Sequence, residues 1–154
     1  ERSPINDTNA RATFLGMSMD TTRSDMVQAV LEGVAFAIRD SFEVAKSLGI
    51  QIQRSKICGG GAKSPLWRQI FANVLNLPLD IPQTEEGPGY GGAMLAMVGC
   101  GLYPSVKDCA DDLVSVRETV LPDPAIAARY EKQYQNFKEI YPALKPLFAK
   151  LQEQ

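Results

Sequence analysis

The stretch KICGGGAKSPLW, Lys56 to Trp67, decides the fold. Three consecutive glycines follow an apolar residue and a cysteine, and Ser64, Pro65 and Trp67 come after them. Glycine loses more conformational freedom on folding than any other residue, so three in a row require a cause. SKIC, Ser55 to Cys58, reads as a strand, while Ser64 and Pro65 suit the N-cap and first turn of a helix. The glycines therefore lie where a strand ends and a helix begins. Ligands of open α/β sheets bind at the carboxyl ends of strands, and bare N–H groups at a helix start favour anions by about 0.3–1 kcal/mol. Two readings stand: a nucleotide cradle, or a tight turn with close strand–helix packing. The spacing matches neither G-x-G-x-x-G nor the P-loop, and taken alone the stretch favours the turn. Lys63 reads as a phosphate partner or as a solvated lysine at a helix start, with the second preferred.

Outward from this point the chain alternates. On the N-terminal side, ATFLGMS, Ala12 to Ser18, is a short apolar segment expected to be a strand. DTTRSD supplies N-cap candidates for the helix after it. From Asp25 to Leu48 apolar residues recur at steps of three and four, which predicts an amphipathic helix of about six turns stopped by Gly49. Gly33 inside it costs about 1 kcal/mol against Ala and suggests close packing there. On the C-terminal side, Leu66, Trp67, Ile70, Phe71, Val74 and Leu75 give the second helix a buried stripe. LDIP, Leu79 to Pro82, is a third strand, and the run GPGYGGA, Gly87 to Ala93, opens a helix extending to about Val98. Those glycines fit a hinge or a close helix crossing, and fit simple close packing about equally well. Glu85 and Glu86 before that helix read as dipole-complementing carboxylates rather than an acid–base pair. Residues 99–124 read as irregular and close on LPDP. A last helix starts near Ala125, and Pro142 and Pro146 are expected to interrupt or kink it. The order strand-helix-strand-helix-strand-helix predicts an α/β fold with parallel strand neighbours.

Composition narrows the chemistry. The 154 residues carry 45% apolar and 22% charged side chains and a formal charge of −2, which gives no reason to expect a nucleic-acid partner. No apolar run approaches the ~18 residues of a membrane span. Histidine is absent, which excludes Ser-His-Asp and Cys-His catalysis and His-containing zinc sites from this chain. Cys58, Cys100 and Cys109 read as reduced thiols of a cytoplasmic protein, with Cys58 and Cys100 expected to be buried. The opening ERSPIND reads as the middle of a longer protein. Trp67 and the tyrosines of the last helix sit at core spacing, and no residue set forms a self-contained catalytic site.

Four stretches together resemble the C-terminal part of the FGGY carbohydrate kinases, most closely their xylulose kinase branch. ERSPIND, Glu1 to Asp7, resembles the family's G-E-R-[ST]-P loop without its leading Gly. ATFLGMSMDTTRSDMVQAVLEGVAFAI is similar to the second family signature, with Phe14, Gly16, Asp25 and Ala29 to Gly33 in place. GGGAKSPLWRQIFANVL, Gly59 to Leu75, resembles the adenosine-side motif, and EGPGYGGAMLA, Glu86 to Ala96, resembles E-G-P-x-x-G-A-A-x-L-A. The resemblance is strong over residues 1–101 and weak beyond.

This resemblance implies an actin-like, ribonuclease-H-like ATPase fold, with this chain as a partial C-terminal domain of a two-domain sugar kinase. Residues 1–124 would be the ATP-binding domain without its opening strands, and 125–154 a helical extension packing on it. Gly59, Gly60, Gly61 and Ala62 would lie against the adenosine of ATP with Ser64 nearby. Pro65 stands where some relatives place an amide beside adenine, which leaves that contact out. The helix of Gly91, Gly92 and Ala93 would match the interdomain connecting helix. The implied chemistry is phosphoryl transfer from ATP to a sugar hydroxyl, D-xylulose for the xylulose kinase branch. Mg2+ would be held mainly by the ATP phosphates and by residues outside this chain. No motif falls on Asp20, Asp25 or Asp80 as a catalytic base. The alternatives are a ribulose, gluconate or glycerol kinase, or a non-catalytic actin-like module. A homodimer or self-association through an uncovered sheet edge is also expected.

Overall fold

The computed structural model of the chain describes residues 3–84 and 87–152. Glu85 and Glu86 lie outside the described residues, as do Glu1 and Arg2 of the opening motif. The described residues form, in order, α1 (Arg23–Ser47), β1 (Ser55–Lys56), a 3-10 turn (Gly60–Lys63), α2 (Pro65–Leu75), β2 (Leu79–Pro82), α3 (Gly87–Gly99), α4 (Val106–Leu113), β3 (Val116–Val120) and α5 (Pro124–Gln152). They divide into two compact units. The first comprises Glu1–Ile52, Asn73–Asn76 and Asp123–Gln154, and the second Gln53–Ala72 and Leu77–Pro122.

In the first unit α1 forms as its sequence requires. Thr22 caps it: its hydroxyl accepts from the Asp25 amide, and the Asp25 carboxylate accepts from the Thr22 amide at 2.8 Å. At the other end Gly49 adopts a φ of +83°. The Ile50 amide donates to Ala45 O and the Gly49 amide to Lys46 O, which closes a Schellman motif. The face toward α5 carries Phe36, buried against the rings of Tyr130, Tyr134 and Phe137 at centroid distances of 5.8, 6.0 and 5.3 Å. Edge and tilted ring pairs of this kind add about 0.5–1.5 kcal/mol beyond area burial.

The polar ends of that aromatic cluster are satisfied. Tyr130 donates its hydroxyl to Glu32 at 2.8 Å and Tyr134 donates to Asp40 at 2.6 Å. Burial, and then the hydrogen bond to Glu32, push the Tyr130 phenol up to about 12. Arg39 lies 4.0 Å over the Tyr134 ring, donates to Val74 O at 3.1 Å and pairs with Glu131. The hydrogen bond from Arg39 holds the Glu131 carboxyl below its ordinary value.

Two expectations for this unit are corrected, and a third, that the prolines break α5, in part. Ala12 to Ser18 is not a strand, because no described strand pairs with it, and Leu15 and Met17 are exposed. An extended apolar segment becomes a strand only when a neighbour takes its backbone hydrogen bonds. Gly33 has no atom within 4 Å of where a Cβ would stand, so close packing does not explain it among the described residues. Pro142 and Pro146 do not interrupt α5. They lie four residues apart on an exposed face, where water can satisfy the carbonyls that the missing N–H groups leave free.

The second unit holds a three-stranded sheet of order β1-β2-β3. β1 and β2 are parallel, as expected, with Ser55 opposite Leu79 and Lys56 opposite Asp80. β3 is antiparallel to β2 and lies in the stretch expected to be irregular. α4 lies there too, capped by Ser105, whose hydroxyl accepts from the Asp108 amide at 3.1 Å. Leu79 and Ile81 of β2 are buried, as are Ile70, Phe71 and Ala72 of α2 and Cys109 of α4. Asp80 is buried and accepts from Arg54 at 3.0 Å and from the Thr119 hydroxyl at 2.7 Å. Leu66, expected in the buried stripe of α2, is 56% exposed. Cys58 and Cys100, expected to be buried, are exposed, while Cys109 is buried.

Candidate functional site

The triple glycine occupies the end of β1. Ile57 continues the ladder past β1, its amide donating to Asp80 O at 3.0 Å. The chain then reverses at Gly59, whose φ of +89° and ψ of −177° form a conformation open essentially to glycine alone. The Ala62 amide donates back to Gly59 O at 3.1 Å and the Ser64 amide to Gly61 O at 3.2 Å, closing the 3-10 turn. Ser64 then serves as N-cap of α2, its hydroxyl accepting from the Trp67 amide at 3.3 Å.

Each glycine answers differently to the question of why no side chain is present. Gly59 is fixed by its backbone conformation. Gly61 is fixed by contact: a Cβ there would stand 2.6 Å from Cζ3 and 2.8 Å from Cε3 of the Trp67 ring. Gly60 is fixed by neither. It has no positive φ, it is exposed, and no atom lies within 4 Å of where its Cβ would stand. The fold accounts for two of the three glycines and leaves the central one bare.

Beside this turn lies a shallow recess, open to solvent. Gly59, Ala62 and Lys63 form one wall. Ile57 and Cys58 follow directly on β1, Ile81 and Pro82 come from the end of β2, and Thr84 from the loop beyond it. The recess therefore opens at the carboxyl ends of two parallel strands, the usual location of ligands in open α/β sheets. Arg117 of β3 completes the lining. Cys58 also meets the start of α3, where a Cβ on Gly87 would stand 2.6 Å from its Sγ.

Of the residues singled out in the sequence, the structure places Gly59, Ala62 and Lys63 on the recess, with Gly60 and Gly61 in the same turn. The Ala62 side chain is 8% exposed, and Ser64 is engaged as a cap. Sequence reasoning misses Arg117, because it reads the β-branched run Val114 to Val120 as irregular, and it misplaces Cys58 in the core. Among the described residues no three His, Cys, Asp or Glu side chains come together as a metal site. Asp25 is engaged in a helix cap and Asp80 in a buried pair with Arg54. No described helix is long and apolar enough to cross a membrane.

The fold recurs in sugar kinases of the actin-like ATPase class. The structure of gluconate kinase from Lactobacillus acidophilus superposes with a TM-score of 0.88 at 27% identity, over 97% of this chain and 30% of that one. Xylulose kinase from Rhodospirillum rubrum superposes with a TM-score of 0.80 at 35% identity, over 94% of this chain and 29% of that one. In sequence, this chain is 33% identical over 151 residues to the xylulose kinase of Staphylococcus epidermidis, spanning 98% of this chain and 30% of the relative. The pattern of the FGGY family of carbohydrate kinases, C-terminal domain, matches residues 1–100. The chain belongs to the FGGY family of carbohydrate kinases. It spans about 30% of the length of these relatives.

Proposed function

We propose that the chain is the C-terminal ATP-binding part of a carbohydrate kinase that transfers the γ-phosphate of ATP to a sugar hydroxyl, converting D-xylulose to D-xylulose 5-phosphate. The observation that carries the nucleotide assignment is the turn after β1. Gly59 and Gly61 serve the fold, whereas Gly60 is exposed beside a recess at the strand ends with no packing cause of its own. A residue without a side chain lets a flat ligand lie directly on the backbone. Gly59, Gly60, Gly61, Ala62 and Ser64 form the adenosine side of the site in this reading. The recess encloses only about 20 Å³, far less than the ~300–1,000 Å³ of a complete small-molecule pocket, which accords with one wall of a cleft whose other wall lies elsewhere.

In this reading residues 1–124 are the ATP-binding domain and 125–154 a helical extension on it. The full-length kinase is cytoplasmic and homodimeric. Mg2+ arrives with the ATP phosphates, and the base and the sugar contacts belong to a part of the kinase outside this chain. Similarity to the gluconate kinase fold favours one rival substrate, gluconate. A panel of D-xylulose, ribulose, gluconate and glycerol with the full-length kinase and MgATP separates them. Turnover is expected to be highest with D-xylulose. Preference for gluconate would move the chain to that branch, and no turnover with any of them would remove the sugar kinase assignment.

A further inference from the structure

We infer that Arg117 is a phosphate-binding residue of the nucleotide site, delivered to it by a β-bulge. The inference rests on the nucleotide reading of the glycine turn and adds to it a residue from an element outside the glycine motif. Along β2 and β3 the register runs Leu79 to Val120, Asp80 to Thr119 and Ile81 to Glu118, then steps to Pro82 opposite Val116. The step leaves Arg117 as the extra residue, without a partner across the ladder. A bulge bends its strand and re-aims the side chain it carries, and bulges are over-represented beside functional sites. Here the bulged residue lines the recess that Gly59 and Ala62 also line.

Charge supplies the second argument. The second unit has three arginines, and two are committed: Arg54 to Asp80 at 3.0 Å and Arg68 to Glu118 at 2.9 Å. Glu118 adjoins Arg117 yet pairs with Arg68 of α2. Among the described residues Arg117 has no carboxylate partner, and no Asp or Glu lines the recess with it. A guanidinium presents five donors in a fixed fork that matches phosphate oxygens, and it stays charged at any working pH. Beside it the wall contributed by Ile57, Ile81 and Pro82 is apolar. Apolar wall, bare glycine backbone and a cation at the edge match a nucleoside phosphate in which the phosphate end reaches Arg117.

The test is the affinity of the full-length kinase for ATP, ADP and adenosine, measured by calorimetry for the wild type, Arg117→Gln, Arg117→Lys and Gly60→Val. Arg117 is exposed, so its substitution leaves the fold intact, which an unchanged melting temperature verifies. Arg117→Gln is expected to weaken ATP and ADP about tenfold, the scale of one lost charge-assisted hydrogen bond, and to leave adenosine unchanged. Arg117→Lys is expected to recover part of the loss. Equal losses for all three ligands, or none, would overturn the role of Arg117. Gly60→Val separates the two claims: if it weakens all three ligands while Arg117→Gln weakens none, the nucleotide site stands and the arginine assignment falls. If Gly60→Val has no effect on any ligand, the site itself is misplaced.

Discussion

The aromatic seam between α1 and α5 and the glycine turn after β1 solve the same problem by opposite means. In the seam, large side chains do the positioning: Phe36, Tyr130, Tyr134 and Phe137 fill the space, and Glu32 and Asp40 take up the hydroxyls. In the turn, missing side chains do it: Gly59 supplies a backbone reversal and Gly61 admits the Trp67 ring. The seam gains its stability from burial. The turn spends conformational entropy to bring backbone to a surface. The difference teaches where function can reside, because only a region that leaves backbone bare can offer it to a ligand.

Breaking the seam should cost the most. Phe36→Ala removes a buried ring that touches three others, and a loss of about 3–5 kcal/mol is expected in denaturant unfolding. A loss below about 1 kcal/mol would mean that the seam does not hold α1 and α5 together. The turn should respond by overpacking instead. Gly61→Ala puts a methyl against a rigid ring edge, and a loss of about 1–3 kcal/mol is expected. Trp67 is the single tryptophan of the chain, so its emission reports displacement of the ring directly. An unshifted spectrum with unchanged stability would show that Trp67 does not rest on Gly61.

The same contrast explains which elements are legible in the sequence. α1 is legible because its stripe and its Thr22–Asp25 cap are local features. The parallel pairing of β1 with β2 follows from the intervening helix, since parallel neighbours need a crossover. β3 is not legible: Val116 to Val120 is an exposed edge strand whose identity depends on pairing with β2, far away in sequence. α4 does carry a signal, with Ser105 as cap and Val106, Cys109, Ala110 and Leu113 at helical spacing, but the stretch is only eight residues long. Cys58 looks buried from its apolar neighbours, yet the chain turns outward one residue later at Gly59.

The glycine motif itself is visible in the sequence, but not the division of labour within it. That division depends on one dihedral angle and one ring contact, neither of which has a sequence signature. Arg117 is hidden for the same reason, because a bulge is a property of register rather than of residue type.

The proposed role of Gly60 is to stay bare for the ligand's sake and not for the fold's. It is tested most directly by the ATP affinity of Gly60→Val in the full-length kinase, measured beside its unfolding free energy. A loss of at least tenfold in ATP affinity, about 1.4 kcal/mol, is expected, with stability within about 0.5 kcal/mol of the wild type. Unchanged ATP affinity in a stably folded Gly60→Val protein would contradict it.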